Sequence, residues 1–226
     1  MPLLPDLSIL TELDILIGLM VAAALIVLVA DWRLALYALT AQYLLAALLL
    51  SQIVQPSAAL VRALSGAFAA VILFITFRRV MAARRHAELE TGDTADSRIE
   101  RLYRRGVFVV GFFFRLTALA LVVVGIVGIA SSMTFLGLSA EVLFSGLWLI
   151  ATGILVAILS RDVLRLGLGI LLFTSGFCIL EAAIEGSLFL YGLLNISDLL
   201  IAVVIAHLAN VAPEEAGLAR RRGEIP

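Results

Sequence analysis

Seven apolar stretches, near 14–30, 34–54, 58–77, 107–130, 142–160, 163–184 and 187–209, decide what this chain can become. Each is long enough, or nearly so, to cross a hydrocarbon core that takes about 20 helical residues. Inside lipid a backbone must satisfy its own hydrogen bonds, so only helices and closed barrels span it. Barrel strands alternate apolar and polar side chains, and these unbroken runs do not. The expectation is an all-α, polytopic membrane helical bundle of about seven transmembrane helices, a single domain over residues 1–226. Composition agrees: 63% of the residues are hydrophobic and 15% charged, outside the balance of an ordinary water-soluble domain. The single cysteine, Cys178, lies inside an apolar run, which excludes a disulfide framework and a cysteine-built zinc cage.

Basic residues in short loops are retained on the cytoplasmic side of a membrane. With seven spans, Arg33, the run from Arg78 to Arg105, the pair Arg161 and Arg165, and the tail Arg220, Arg221 and Arg222 all fall on one side. The other side keeps Arg62 near its loop, with Asp6, Glu12, Asp14 and Glu141. This predicts an external N-terminus and a cytoplasmic C-terminus. The region before the first apolar run is acidic, unlike the basic start of a cleaved signal peptide. The sizeable polar segment, 78–106, is an arginine-rich loop in which "TGDTADS" reads as a turn between two helical extensions. Topogenic arginines and a solvated charged face account for it without a nucleic-acid partner.

Ionisable residues within the spans are few and expensive, so each is a candidate for function. Arg115 lies about nine residues into the fourth span, Glu181 in the outer part of the sixth, and Asp198 in the middle of the seventh. A carboxylate at the bilayer centre costs at least a few kcal/mol. Glu185 at the outer turn and His207 near the inner end sit where water or headgroups solvate them, and interfacial decoration is their simplest reading. Glu181 too is far enough out for water to share its solvation.

Helical spacing gathers these residues into stripes. Thr174, Cys178, Glu181 and Glu185 follow one another at intervals of four, three and four, and Tyr191, Asn195 and Asp198 do the same on the last span. A tight hairpin near Gly186 sets Cys178 level with Asn195, and Thr174 or Ser175 level with Asp198. Two polar stripes then face each other. Low dielectric disfavours a carboxyl's charged form and a nearby cation favours it, so such a group exchanges a proton when its neighbour moves. Arg115 is the candidate neighbour, since its depth, roughly 13 Å from the inner end, approaches the roughly 16 Å of Asp198 at 1.5 Å of rise per residue. A static Asp–Arg pair that merely assembles the bundle is the competing reading.

The block "SRDVLRLGLGILLFTSGFCIL", followed by an acid in "NISDLLIAVVIAHLA", resembles the K subunit of complex I and the C subunit of Mrp-type antiporters. It is most similar to their longer relative, the component E membrane subunit of energy-converting and formate-hydrogenlyase-type hydrogenases. The shared features are an Arg-Asn/Asp-x-Leu opening, matched by Arg161, Asp162 and Leu164, and a last helix with a central acid, matched by Asp198. "DWRLALYALTAQYLLAALLL" extends the likeness to the first half. Two departures stand out. The group carries a glutamate in the middle of its penultimate helix, where this chain has Thr174 or an apolar neighbour, with Glu181 two turns further out. The longer relatives tend to have a lysine in the third span, and "AFAAVILFITF" has none. The resemblance implies an integral subunit of a prokaryotic inner membrane, working in proton translocation or coupling. Its implied partners are larger antiporter-like and other multi-span subunits with peripheral redox subunits, all within a lipid bilayer.

Catalysis by the chain itself has no motif behind it. With two histidines, His86 and His207, a paired-histidine haem or metal site is not expected, and no Gly-x-Ser-x-Gly stretch, phosphate loop or dinucleotide fingerprint occurs. No cofactor is expected, and redox chemistry would belong to partner subunits. A non-conducting bridging subunit and an unrelated small transporter stay open as alternatives.

Overall fold

A computed structural model describes residues 12–29, 31–54, 56–90, 96–132, 138–160 and 162–221. Among these residues seven helices follow in order: α1 Glu12–Leu28, α2 Trp32–Ile53, α3 Pro56–Glu90, α4 Asp96–Ser132, α5 Ala140–Leu159, α6 Val163–Ile184 and α7 Leu188–Arg221. No strand occurs among the described residues. The chain is a polytopic membrane helical bundle. Among the described residues, six helices contain apolar segments long enough to cross a membrane, and α1 is the shorter apolar helix Leu13–Leu28. At 17 residues, α1 rises about 26 Å, close to the ~30 Å of a hydrocarbon core. It belongs to the bundle, because Ile15, Leu19 and Ala23 are fully buried in the common core.

Local chemistry marks the turns between helices. Asp31 caps α2, its carboxylate accepting from the Arg33 N–H at 3.0 Å, and Ser139 caps α5 through the Val142 N–H at 3.4 Å. Pro56 opens α3, where its missing N–H costs nothing. The reversal between α6 and α7 turns on Gly186, whose φ of +61° suits a residue without Cβ and whose N–H reaches back to the Glu181 carbonyl at 3.3 Å. Helices α3, α4 and α7 run beyond their apolar spans of Ala59–Ala83, Gly111–Ala130 and Leu188–Val211. The polar segment 78–106 thus continues the spans as helix on both sides, as its pattern predicts. Of the turn expected at 91–97, residues 91–95 lie outside the described residues, as do Asp6, Arg161 and Arg222, while Asp96 and Ser97 already belong to α4.

Packing is closest between α5 and α6. Gly146 and Gly153 on α5 meet Gly176 and Gly169 on α6, and a Cβ at Gly169 would stand 2.7 Å from the Gly153 carbonyl oxygen. Apolar helices gain little from burying one another in lipid, so close backbone approach through small residues supplies the attraction instead. Around this pair, α1 lies against α2 and α5, α3 against α2 and α7, and α6 also touches α2 and α7. Helix α4 leans on α5 and α1 and turns Phe113, Leu121 and Val124 outward. An outward apolar belt of this kind is what a lipid-facing surface requires.

Candidate functional site

The stripe expected on α7 is buried as a unit: Tyr191, Asn195 and Asp198 all point into the bundle, and Asp198 is fully enclosed. Asp198 stands ten residues, about 15 Å of helical rise, from the start of α7 at Leu188, near the middle of the apolar segment Leu188–Val211. What meets it there is Arg62 of α3. Arg62 Nη1 lies 2.6 Å from Asp198 Oδ2, and neither residue has exposed surface. The same Nη1 donates to Asn195 Oδ1 at 3.2 Å, and Nη2 donates to the Ser175 hydroxyl of α6. Tyr43 of α2 donates its hydroxyl to Asp198 Oδ2 at 3.1 Å while its ring faces the guanidinium, 4.6 Å from ring centre to Cζ. Ser65 donates to Asn195 Oδ1 at 2.8 Å, and Asn195 Nδ2 donates to the Tyr191 carbonyl at 2.8 Å.

Four helices therefore converge on one ion pair, and each does so by simple helical spacing. On α3 the buried stripe runs Arg62, Ser65, Gly66, Ala69, Leu73, the i, i+3, i+4 pattern of an inward face. Gly66 leaves the space that the Tyr43 ring fills, since a Cβ there would collide with it. The network is strong but incomplete. Arg62 Nε and Asp198 Oδ1 are buried without a hydrogen-bond partner among the described residues. A buried charged group that keeps an unmet hydrogen-bonding atom carries a desolvation cost that its ion-pair partner offsets only in part.

The sequence-derived partner of Asp198 is corrected by this geometry. Arg115 does not approach Asp198; its Nη1 donates to the Val27 carbonyl at the C-terminal end of α1, at 3.2 Å. Equal depth along two helices does not make two side chains neighbours when the helices themselves are not, and α4 packs on α5 and α1 while α7 packs on α3 and α6. Thr174 is half-buried and its hydroxyl returns to the Leu171 carbonyl at 3.1 Å, so the adjacent Ser175 serves the cluster instead. Glu181 is more enclosed than its outer position suggests: it is 7% exposed, and neither carboxylate oxygen is hydrogen-bonded among the described residues. Glu185 and His207 are exposed, as interfacial residues would be.

Arg62, Tyr43 and Ser65 were not among the residues that motif reading singles out. Arg62 reads as a loop arginine because it lies so close to the start of its span. The signal that finds it is the small-residue stripe from Ser65 to Ala69, which extends back by one turn to Arg62. No group of three metal-ligating side chains occurs among the described residues. Comparison of the chain with family models, curated proteins and solved structures gives no match.

Proposed function

We propose that this integral membrane protein is a coupling subunit of an ion-translocating, hydrogenase-like or complex-I-like assembly, with the Asp198–Arg62 pair as its proton-handling element. The observation that carries the reading is a mid-span carboxylate, fully enclosed, with one oxygen held by an arginine and the other unmet. Ionisable groups at this depth are costly enough that ordinary packing does not retain them without a use. The pair has two natural states. With Asp198 ionised, Arg62 is neutralised in place. With Asp198 protonated, Arg62 still keeps Asn195 and Ser175 as acceptors, while Tyr43 and the unmet oxygen are free to exchange hydrogen bonds with the new proton. The sequence resemblance through Arg161, Asp162, Leu164 and Asp198 supports the same class of complex.

A bridging role is the second reading, favoured by the way the pair ties α2, α3, α6 and α7 together. Asp198→Asn separates the two. It imitates the protonated carboxyl, so a proton-handling pair tolerates it: the subunit remains in the membrane with its partners and ion coupling by the assembly falls at least tenfold. Under the bridging role, Asp198→Asn strands Arg62 and the subunit disappears from the membrane fraction. Normal assembly with full coupling would overturn the proposal.

A further inference from the structure

The antiparallel register of α2 and α3 that seats the Tyr43 ring on Gly66 also seats Trp32 on Phe77, eleven residues further along both helices. Eleven residues rise about 17 Å from the level at which Tyr43 bonds Asp198, and half of a ~30 Å hydrocarbon core is about 15 Å. Trp32 therefore stands where hydrocarbon gives way to headgroups, at the end of the bundle opposite Gly186. Its ring stacks on that of Phe77 with centroids 5.5 Å apart and planes 7° from parallel, and Phe74 lies beside it at 6.1 Å. Two arginines join these rings. Arg33 Cζ sits 5.3 Å from the centre of the Trp32 ring, and Arg78 Cζ sits 5.7 Å from that of Phe74. Phe74, Phe77 and Arg78 fall at i, i+3 and i+4 on α3, so helical spacing alone brings them to one face. The result is a ladder, Arg33–Trp32–Phe74–Arg78, with the buried Phe77 as its inner support.

Both arginines of the ladder are exposed, as are Phe74 and its neighbours Leu34 and Ile75. A neutral ring attracts a guanidinium without cancelling its charge. Among the described residues neither Arg33 nor Arg78 is ion-paired, and the adjacent Asp31 directs a carboxylate oxygen at the Arg33 N–H. The rings thus hold two long cationic side chains in place, which lessens the entropy lost when a ligand fixes them, and leave the charge to be met from elsewhere. At this level in a bilayer the available counter-charge is lipid phosphate. Planar guanidinium forks match phosphate oxygens in pairs, while exposed Leu34, Phe74 and Ile75 suit the first methylenes of an acyl chain. Arginine placement predicts this end to be the cytoplasmic one, whose leaflet carries anionic lipids. We infer that the ladder binds the headgroup of an anionic phospholipid, with Arg33 and Arg78 as its phosphate ligands and Trp32 and Phe74 as the rings that position them.

The test uses the full chain purified in an uncharged detergent. Phosphatidylglycerol, phosphatidylcholine or inorganic phosphate is added, and retained ligand is read by native mass spectrometry. Each basic contact at a membrane surface is worth about fivefold in affinity, so the pair Arg33→Gln with Arg78→Gln should cut the preference for phosphatidylglycerol over phosphatidylcholine about thirtyfold. Phe74→Leu keeps every charge and removes one ring. A cation–π contact at an exposed site is worth about two- to fivefold, and the preference should fall by that factor. Arg79→Gln alters an exposed arginine one residue beyond Arg78 that lies on no ring among the described residues, and should change the preference by less than about twofold. Equal retention of both lipids by the wild-type chain overturns the inference without recourse to any variant. So does retention of inorganic phosphate with no lipid preference. Equal falls in Arg79→Gln and Arg78→Gln also overturn it, because the arginines then act as diffuse surface charge, as does an unchanged preference in Phe74→Leu.

Discussion

Arg62 and Arg115 are both arginines inside apolar spans, and the bundle treats them in opposite ways. Arg62 is completely enclosed, so it holds a carboxylate, an amide oxygen and a hydroxyl, with an aromatic ring against its guanidinium. Arg115 is half-buried near the end of its span and makes do with a helix-terminal carbonyl and an opening toward the surface. Enclosure by neighbouring helices decides the difference, not distance along the span, since Arg62 stands three residues into Ala59–Ala83 and Arg115 four residues into Gly111–Ala130. A cation that water or headgroups still reach keeps much of its solvation, whereas one sealed in the interior needs a full counter-charge and as many acceptors as the neighbouring helices supply. Where two intramembrane arginines differ in this way, the enclosed one reports on the bundle's centre and the other on its boundary with lipid.

The largest effect is expected at the centre. Arg62→Met removes the donors that Asp198, Asn195 and Ser175 share and leaves a buried carboxylate unpaired, which should cost about 3–5 kcal/mol in equilibrium unfolding in mixed micelles. Adding Asp198→Leu should recover most of that loss, since an apolar pair of similar volume often replaces a buried ion pair without penalty. If the double change is no more stable than Arg62→Met alone, the two side chains are not energetically coupled. The contrast with Arg115 would then lose its basis.

That coupling was only half legible in the sequence. The α7 stripe of Tyr191, Asn195 and Asp198 follows from spacing alone, as does the antiparallel α6–α7 reversal at Gly186, because local rules set both. The seven helices were equally readable, since lipid leaves a long apolar run few other choices. The partner of Asp198 was not, for it depends on which helices are neighbours, and leucine-rich surfaces carry little information about that. Arg62 was further disguised by its place two turns after Pro56: its long side chain carries the charge inward from a helix end that looks like a loop. Glu181 was misjudged by the same route, since distance along the helix says nothing about what covers its flank.

A middle-sized effect sharpens the description of the centre. Tyr43→Phe keeps the ring against the guanidinium and deletes the hydroxyl that bonds Asp198 Oδ2. A hydrogen bond to a charged group contributes roughly 1.5–3 kcal/mol, so a loss of about 1.5 kcal/mol is expected, with the bundle still assembled. A loss as large as that of Arg62→Met would mean that Tyr43, rather than the ion pair, holds α2 in place. No loss would mean that the carboxylate finds another donor, and the centre would be looser than the enclosed geometry implies.

The smallest effect belongs to Arg115→Gln measured in the same uncharged micelles, where no lipid phosphate contributes. The change removes one hydrogen bond to the Val27 carbonyl and relieves the repulsion from Arg165, two terms of opposite sign. A cation near a helix C-terminus contributes typically 0.3–1 kcal/mol, and the carbonyl it leaves behind lies beside a cavity that admits water. The net loss should therefore stay below about 1 kcal/mol, several times smaller than at Arg62. Parity between the two variants would break the comparison, because it would mean that Arg115 is as dependent on protein partners as an enclosed cation. A loss that changes with the headgroup charge of added lipid, while that at Arg62 does not, would sharpen it, by showing that Arg115 is served in part from outside the protein and Arg62 from within it.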